Sequence, residues 1–446
     1  MGKYFGTDGV RGKVNDTLTT EIAYKIGQYL GYINNESNSK IIIGKDPRLS
    51  SDMLESSVAA GICSTGTNVE LIGYCPTPCV SYNLSINDNY SFGIMISASH
   101  NPYYDNGIKV FNSEGFKLEA SIEESIEQYI DNIINIDLAN SESIGRIIYN
   151  DLLINNYKEY LINLFNMDLS EYRVVIDCSN GSASYTAFDV LRSLNVKVDC
   201  LYNSPNGINI NNDCGSTHID GLVDYIKNNK DKYDIGFAFD GDADRLIAVS
   251  PCGNIIDGDY ILYICSLYLK DKGELKKNYL VTTVMANIGL FKALKDHNVN
   301  IDITPVGDKY VYESMINNDY SIGGEQSGHI IFRDLAKSGD GLLTALMLLK
   351  IMKDTDKDID YLGKDLKIFP QLLINKKVKD KNIVLNDKDI QKLIETINEK
   401  LDNLGRILVR PSGTEPIIRV MVEAETNALC EEYANQVIDL IIEKAY

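Results

Sequence analysis

The sequence predicts an α/β protein built from three similar blocks, followed by a smaller α+β domain. Three observations predict it. The chain has 446 residues, too many for a single hydrophobic core. Through the first two-thirds, short apolar runs alternate with helix-like stretches, the rhythm of sheets covered on both faces. In the last 80 residues or so the pattern changes to a loosely alternating β-branched run set among helical segments.

In chain order, strands are predicted at 41–44, 69–72, 92–96, 108–111, 174–177, 196–200, 235–239, 246–249 and 279–284. Helices are predicted between them at 51–64, 120–134, 183–194 and 222–229. A polar stretch at 135–143, a turn at 250–254 and a charged, apolar-poor segment at 354–367 mark three boundaries. They divide the chain into 1–150, 151–250, 251–365 and 366–446. In the last block, IIRVMVEA at 417–424 reads as a half-exposed antiparallel strand, and 387–401 and 427–445 have helical periodicity.

Composition removes several classes of function. Hydrophobic residues at 44% and charged residues at 24% are globular proportions. A net charge of −20 repels nucleic acid and anionic membrane, so neither is expected as a partner. The same charge repels phosphorylated substrates in general, so an anion site must gather Arg, Lys and backbone N–H groups locally. The apolar stretch at 342–352 is far short of a membrane span, and the first residues lack the apolar core of a signal peptide. A cytoplasmic location is expected. The nine cysteines form no C-x-x-C pair and are expected to be reduced thiols.

Four segments carry chemistry. Asp240-Gly241-Asp242-Ala243-Asp244-Arg245 follows the apolar strand 235–239, at a strand's carboxyl end, where α/β proteins build sites. Carboxylates at i, i+2 and i+4 can converge, and three hard oxygen donors suit Mg²⁺ or Ca²⁺. An EF-hand fails, since Arg245 and Pro251 occupy its glycine and glutamate positions. Ser97-Ala98-Ser99-His100-Asn101-Pro102 follows strand 92–96 and is compatible with a helix cap as well as a nucleophile. A hydrolase-type triad is a poor fit. His100 adjoins Ser99, neighbouring side chains of extended chain point apart, and no G-x-S-x-G occurs. Ten residues on, Lys109 is expected on the returning strand, where nearby cations would lower its pKa toward that of a base.

Arg410-Pro411-Ser412-Gly413-Thr414-Glu415-Pro416, with Arg419 beyond, can form an anion nest with hydroxyl and guanidinium donors, or a plain hairpin turn. In Gly323-Gly324-Glu325-Gln326-Ser327-Gly328-His329, the glycines allow close ligand approach. Glu325, Ser327 and His329 alternate along it and can share one face toward sugar hydroxyls; a flexible surface loop is the other reading. No Walker A segment occurs.

FGTDGVRG at 5–12, SASHNP, DGDADR, GGEQSGH and RPSGTEP together resemble the α-D-phosphohexomutase superfamily, in its order and spacing along the whole chain. FGTDGVRG, CGSTH at 214–218 and GGEQSGH resemble its amino-sugar branch in particular. The resemblance implies mixed sheets in three α/β domains and four domains around a central cleft. It implies interconversion of glucosamine 6-phosphate and glucosamine 1-phosphate through a bisphosphate. Ser99 would be the phosphoserine, and Asp240, Asp242 and Asp244 would bind Mg²⁺ with an oxygen on Ser99. Arg11 and Lys109 would flank the migrating phosphoryl, Lys109 as candidate base, with His100 and Arg245 beside them. Glu325, Ser327 and His329 would contact the sugar; Arg410, Ser412, Gly413, Thr414 and Arg419 would clamp a phosphate. A phosphorylated amino sugar is the implied partner, a hexose or glucosamine 1,6-bisphosphate the implied activator, and a homodimer the analogous assembly. Ser99 would first be loaded by that activator, by itself or by a kinase. The alternatives are mutase activity on mannose or glucose phosphates, and a metal-dependent sugar phosphatase. Three residues depart from the pattern: Ala243 for glycine, strained if its φ is positive; Pro47 for threonine; and Lys309 for arginine.

Overall fold

The structure is a computed structural model, describing residues 2–34, 39–402, 404–411 and 417–445. The chain forms two compact units, Met1–Val284 with Asn300–Gly363, and Met285–Val299 with Lys364–Tyr446.

The first unit holds three mixed sheets. The largest has seven strands in the order Phe5–Gly6, Gly9–Lys13, Asp105–Asn112, Tyr90–Ile96, Lys40–Lys45, Val69–Tyr74 and Ile147–Tyr149. Its centre is parallel, Lys40–Lys45 pairing with both Val69–Tyr74 and Tyr90–Ile96. The run Ile41-Ile42-Ile43 is wholly buried, as a strand covered on both faces requires. Helices Thr20–Asn34 and Ser51–Ser64 pack closely, because a Cβ at Gly27 would stand 2.2 Å from the Val58 carbonyl oxygen. Asp105–Asn112 returns antiparallel to Tyr90–Ile96, setting Lys109 opposite Met95.

The second sheet runs Ile255–Ile256, Leu246–Val249, Ile235–Phe239, Arg173–Asp177, Lys197–Leu201. Residues 240–245 are the loop of its hairpin, closed where Phe239 pairs with Leu246. The third runs Asn300–Thr304, Tyr279–Thr283, Ile322–Gly324, Ile330–Phe332, its last two strands joined by a hairpin closed at Gly324 and Ile330.

The second unit has an antiparallel sheet in the order Gln371–Lys377, Ile417–Glu423, Arg406–Pro411. Helices Lys388–Leu401 and Asn427–Ala445 supply its core with Ile390, Ile397, Val437 and Ile441. Ile417–Glu423 is the central strand rather than a half-exposed one: Ile418, Val420 and Val422 fill the core, and Met421 and Glu423 are also buried. Helix Ile288–Asp296 belongs here too. Asn287 Nδ2 donates to the Phe369 carbonyl at 2.9 Å, and the Ile288 N–H donates to Glu423 at 3.1 Å.

Two predicted helices are shorter. The one expected to reach residue 134 ends at Ile130, since Asn132 takes a left-handed φ of +59°. The one expected over 183–194 is a 3₁₀ turn at Ser182–Tyr185 and a helix at Ala187–Ser193, broken at Thr186 with φ −135°. All nine cysteines are free; seven are buried, and Cys252 is exposed. No helix among the described residues is long and apolar enough to cross a membrane.

Candidate active site

Ser99 stands one residue beyond the buried loop that ends strand Tyr90–Ile96, and no helix follows it; the chain runs on into strand Asp105–Asn112. The helix-cap alternative is thereby removed. Its φ of +52° is uncommon for a residue bearing a Cβ and is over-determined by its surroundings. The Ser99 N–H donates to Ser97 Oγ at 2.8 Å. Its carbonyl accepts from Arg48 Nη2 at 2.8 Å and Asn211 Nδ2 at 2.9 Å. Arg48, fully buried, also pairs with Asp46 at 2.9 Å.

The left-handed turn corrects one expectation. Because the backbone is not extended here, His100 does not point away: its Nδ1 lies 3.4 Å from Ser99 Oγ. Nδ1 is also 3.2 Å from Arg245 Nη1, which can only donate, so the ring offers its lone pair there. Burial, then the charges of Arg245 and Arg11, lower the His100 pKa to about 4. His100 is neutral at pH 7.

Ser99 Oγ donates to Asp240 Oδ2 at 2.5 Å. Asp240, Asp242 and Asp244 are all buried, each with an oxygen within 4.8 Å of the others. Ala243, between them, has φ +55°, the strained conformation anticipated for a non-glycine residue. Burial and the charges of Asp244 and Asp242 push Asp240 up to about 8. Oδ1 of Asp242 and Oδ1 of Asp244 are buried without a hydrogen bond. Orphaned carboxylate oxygens in so close a cluster fit a hard divalent cation such as Mg²⁺.

Lys109 Nζ lies 2.7 Å from Asp242, 3.1 Å from Asp244 and 3.1 Å from Asp8. This reverses the expectation of a lowered pKa. Burial disfavours its charge, but these carboxylates hold Lys109 well above the ordinary lysine value, as an ammonium. Arg11 pairs with Asp8, and its Nη1 lies 3.4 Å from the Ala98 carbonyl oxygen.

The segment at 323–329 does not present one face. The Gly328 N–H donates to the Glu325 carbonyl at 3.0 Å, closing a reverse turn that breaks the alternation. Ser327 is exposed at its tip, while His329 is buried, 3.6 Å from Asp244 and 3.5 Å from Asp308. Glu325 Oε1 accepts from the Gly307 N–H at 3.1 Å. Burial would lower the His329 pKa, but Asp244, Asp308 and Glu325 raise it. The Gly339 N–H donates to His329 Nε2 at 3.0 Å.

Arg410 and Arg419 are directly opposed on adjacent strands of the second unit. Nε of each is buried without a hydrogen-bond partner, and burial and Arg419 depress the Arg410 pKa. Two guanidinium groups side by side with unspent donors suit an anion. Ser412, Gly413 and Thr414 lie outside the described residues. His297 and His218 are exposed.

The first unit therefore gathers Ser99, His100, Lys109, Arg11, Arg245, His329 and the three aspartates, while Ser327 stands apart at its turn tip. Sequence reasoning missed Asp8, Thr77, Arg48, Asn211, Lys117 and Asp308. Thr77, which begins helix Thr77–Ser85, donates Oγ1 to Asp242 Oδ2 and its N–H to the Asp242 carbonyl at 2.9 Å. Asp8 carried a local signal beside Arg11 in the first motif, and Arg48 and Asp308 adjoin the departing positions Pro47 and Lys309.

Four sequence profiles cover the chain: phosphoglucomutase/phosphomannomutase alpha/beta/alpha domains I, II and III at residues 2–137, 154–253 and 257–367, and the C-terminal domain at 373–440. The chain belongs to the phosphoglucomutase/phosphomannomutase family of phosphohexomutases. Within it, the chain is 47% identical to the phosphoglucosamine mutase of Lachnoclostridium phytofermentans, covering 100% of this chain and 99% of that one. It is 48% identical to that of Shouchella clausii, at the same coverage. Among solved structures, a family member from Burkholderia thailandensis matches with a TM-score of 0.80 at 22% identity, covering 99% and 98% of the two chains. The N-acetylphosphoglucosamine mutase of Aspergillus fumigatus, solved with GlcNAc-6P and magnesium, matches with a TM-score of 0.70 at 17% identity, over 98% and 95%. These likenesses place the fold.

Proposed function

We propose that the chain interconverts glucosamine 6-phosphate and glucosamine 1-phosphate through a phosphoserine at residue 99. The observation that carries this reading is the Ser99 hydroxyl against Asp240, in a buried pocket where aspartate oxygens are left over for a divalent cation. The choice of an amino sugar comes from the full-length relatives named phosphoglucosamine mutase.

Asp240, Asp242 and Asp244, with an oxygen on Ser99, would hold Mg²⁺. When bound, the ion supplies positive charge beside the transferring phosphoryl. In the proposed cycle the bond from phosphorus to Ser99 Oγ breaks as one forms to the sugar 1-hydroxyl. The proton that hydroxyl loses balances the one Ser99 Oγ regains. The bisphosphate reverses in place, and its 6-phosphoryl returns to Ser99 by the same exchange. Arg11 and Lys109 spread the negative charge of the migrating group; Arg245 fixes the neutral His100 next to it. Glu325, Ser327 and His329 are the proposed sugar contacts, and Arg410, Ser412, Gly413, Thr414 and Arg419 the proposed phosphate clamp.

Burial serves this chemistry. Uncatalysed hydrolysis of phosphate monoesters is so slow that enzymes accelerate it up to ~10²¹-fold, so a site able to move the group must keep water from receiving it. Ser99 is 1% exposed.

The test is Ser99→Ala with an isotope-labelled bisphosphate. The expected result is a folded protein, no label on the chain and no isomerisation; a variant that still isomerises at the parent rate refutes the reading. Comparing rates on glucosamine, glucose and mannose phosphates decides the substrate. Inorganic phosphate released with no isomer formed would instead indicate a phosphatase.

A further inference from the structure

The charged groups beside the aspartate loop close on themselves. Asp8 Oδ1 accepts from Lys117 Nζ at 2.8 Å, and Lys117 Nζ reaches Asp308 at 2.6 Å. Asp308 lies 3.5 Å from His329 Nε2, and His329 Nδ1 lies 3.6 Å from Asp244. Asp244 is 3.1 Å from Lys109, and Lys109 is 3.1 Å from Asp8. Six side chains thus form a ring in which every carboxylate stands between two nitrogen bases. None is more than 24% exposed.

The members come from separate parts of the first unit. Asp8 sits in the turn between Phe5–Gly6 and Gly9–Lys13, and Lys109 on strand Asp105–Asn112. Lys117 lies in the segment after that strand. Asp244 belongs to the hairpin loop of the second sheet, His329 to that of the third, and Asp308 begins helix Asp308–Asn318. The ring therefore ties all three sheets of this unit together around the aspartates.

Asp8 is its pivot. Besides Lys117 and Lys109 it pairs with Arg11, and despite burial these cations hold its carboxyl well below the usual range. Lys109 is shared between Asp8 on one side and Asp242 and Asp244 on the other. An ammonium held wholly by the aspartates would compete with a divalent cation for the same oxygens. Shared with Asp8, it stays on Oδ2 of Asp242 and Oδ2 of Asp244 and leaves their Oδ1 atoms open. Beside Arg11, Asp8 is anchored by Lys117, which Asp308 holds in turn.

We propose that Lys117 and Asp308 are positioning residues: through Asp8 and His329 they set where Lys109 stands and so tune the affinity of the aspartate site for Mg²⁺. This rests on the mutase reading for its kinetic arm alone.

The test uses the full chain with Lys117→Met, Asp308→Asn, the double variant and Lys117→Arg. Titration calorimetry with Mg²⁺ alone is the first readout, and kcat and KM on glucosamine phosphate the second. Outer-shell partners of metal sites typically carry ~10–100-fold in affinity or activity. Each single variant is expected to weaken Mg²⁺ binding by about 10-fold and lower kcat with KM within about threefold. The double variant is expected to be no worse than the poorer single one, since both cut the same ring, and Lys117→Arg to regain most of the loss. Mg²⁺ affinity within about twofold of the parent in both single variants, or losses that add in the double variant, would overturn the proposal. Asp308→Asn, which keeps shape and size, gives the answer should Lys117→Met not fold. If the parent fails to isomerise sugar phosphates, the mutase reading falls, and calorimetry still judges the ring.

Discussion

Asp240 shows how one residue takes on a property that neither its type nor its neighbours in sequence dictate. Burial and two adjacent carboxylates push it up to about 8, from an ordinary value of 3.8. A carboxyl raised on folding holds a proton that the unfolded chain has already released. Its stabilising share is therefore full below about pH 4, shrinks as pH rises and is gone above about pH 8. With a chelator present, the thermal midpoint is expected to fall between about pH 6 and pH 8, and saturating Mg²⁺ to flatten that fall. Scanning calorimetry at intervals across the range checks it. A midpoint independent of pH in the chelated protein would show that the aspartates do not share the pocket as described. The cluster itself was legible, because three carboxylates within five residues after an apolar strand have few other uses. Lys109 was legible as to strand and misread as to charge: the cations expected around it are carboxylates, two of them supplied by the loop of another sheet.

At the scale of elements, the strands Arg406–Pro411 and Ile417–Glu423 set two arginines directly opposite each other. Like charges in that relation cost roughly 0.2–1 kcal/mol relative to neutral pairs. Arg410→Gln is accordingly expected to raise stability toward denaturant by up to about 1 kcal/mol. The same change should raise KM for the sugar phosphate about 10-fold or more by removing a bidentate donor. Urea titration beside steady-state kinetics reads both. A variant less stable than its parent with KM unchanged would mean the pair is held together for structure instead. Helix boundaries were less legible than strands. The break at Thr186 and the stop at Asn132 are set by local φ choices that periodicity does not register.

At the scale of the whole molecule, the segment Met285–Val299 folds with the last 80 residues rather than with its neighbours in sequence. Helix Ile288–Asp296 buries Leu290 and Leu294, and Lys292 stands 4.4 Å from the centre of the Phe369 ring. Arg406 Nη2 donates to the Ala286 carbonyl at 2.5 Å. A chain cut after Gly363 keeps this helix but strips it of Phe369, Arg406 and Glu423. Such a chain is expected to bind a hydrophobic dye and aggregate, and also removing residues 285–299 through a short linker should lessen both effects. Equal dye binding by the two chains would contradict the assignment. Nothing at 354–367 announced this exchange, since a helix with one apolar stripe reads the same whichever core receives it.

By itself the sequence determined the alternation of strands and helices, the carboxylate triad, the serine in its loop and the family. These are properties of short windows, fixed by periodicity and by residue types with few other uses. Tertiary structure alone decided the rest: the left-handed turn that brings His100 back to Ser99, the hold of Arg48 and Asn211 on that turn, and the charged ring from Asp8 through Lys117, Asp308 and His329. Most of those contacts join residues distant in sequence, Arg48 with Ser99 across 51 positions and Lys117 with Asp308 across 191, and electrostatic energy depends on distance in space, which one-dimensional order does not carry.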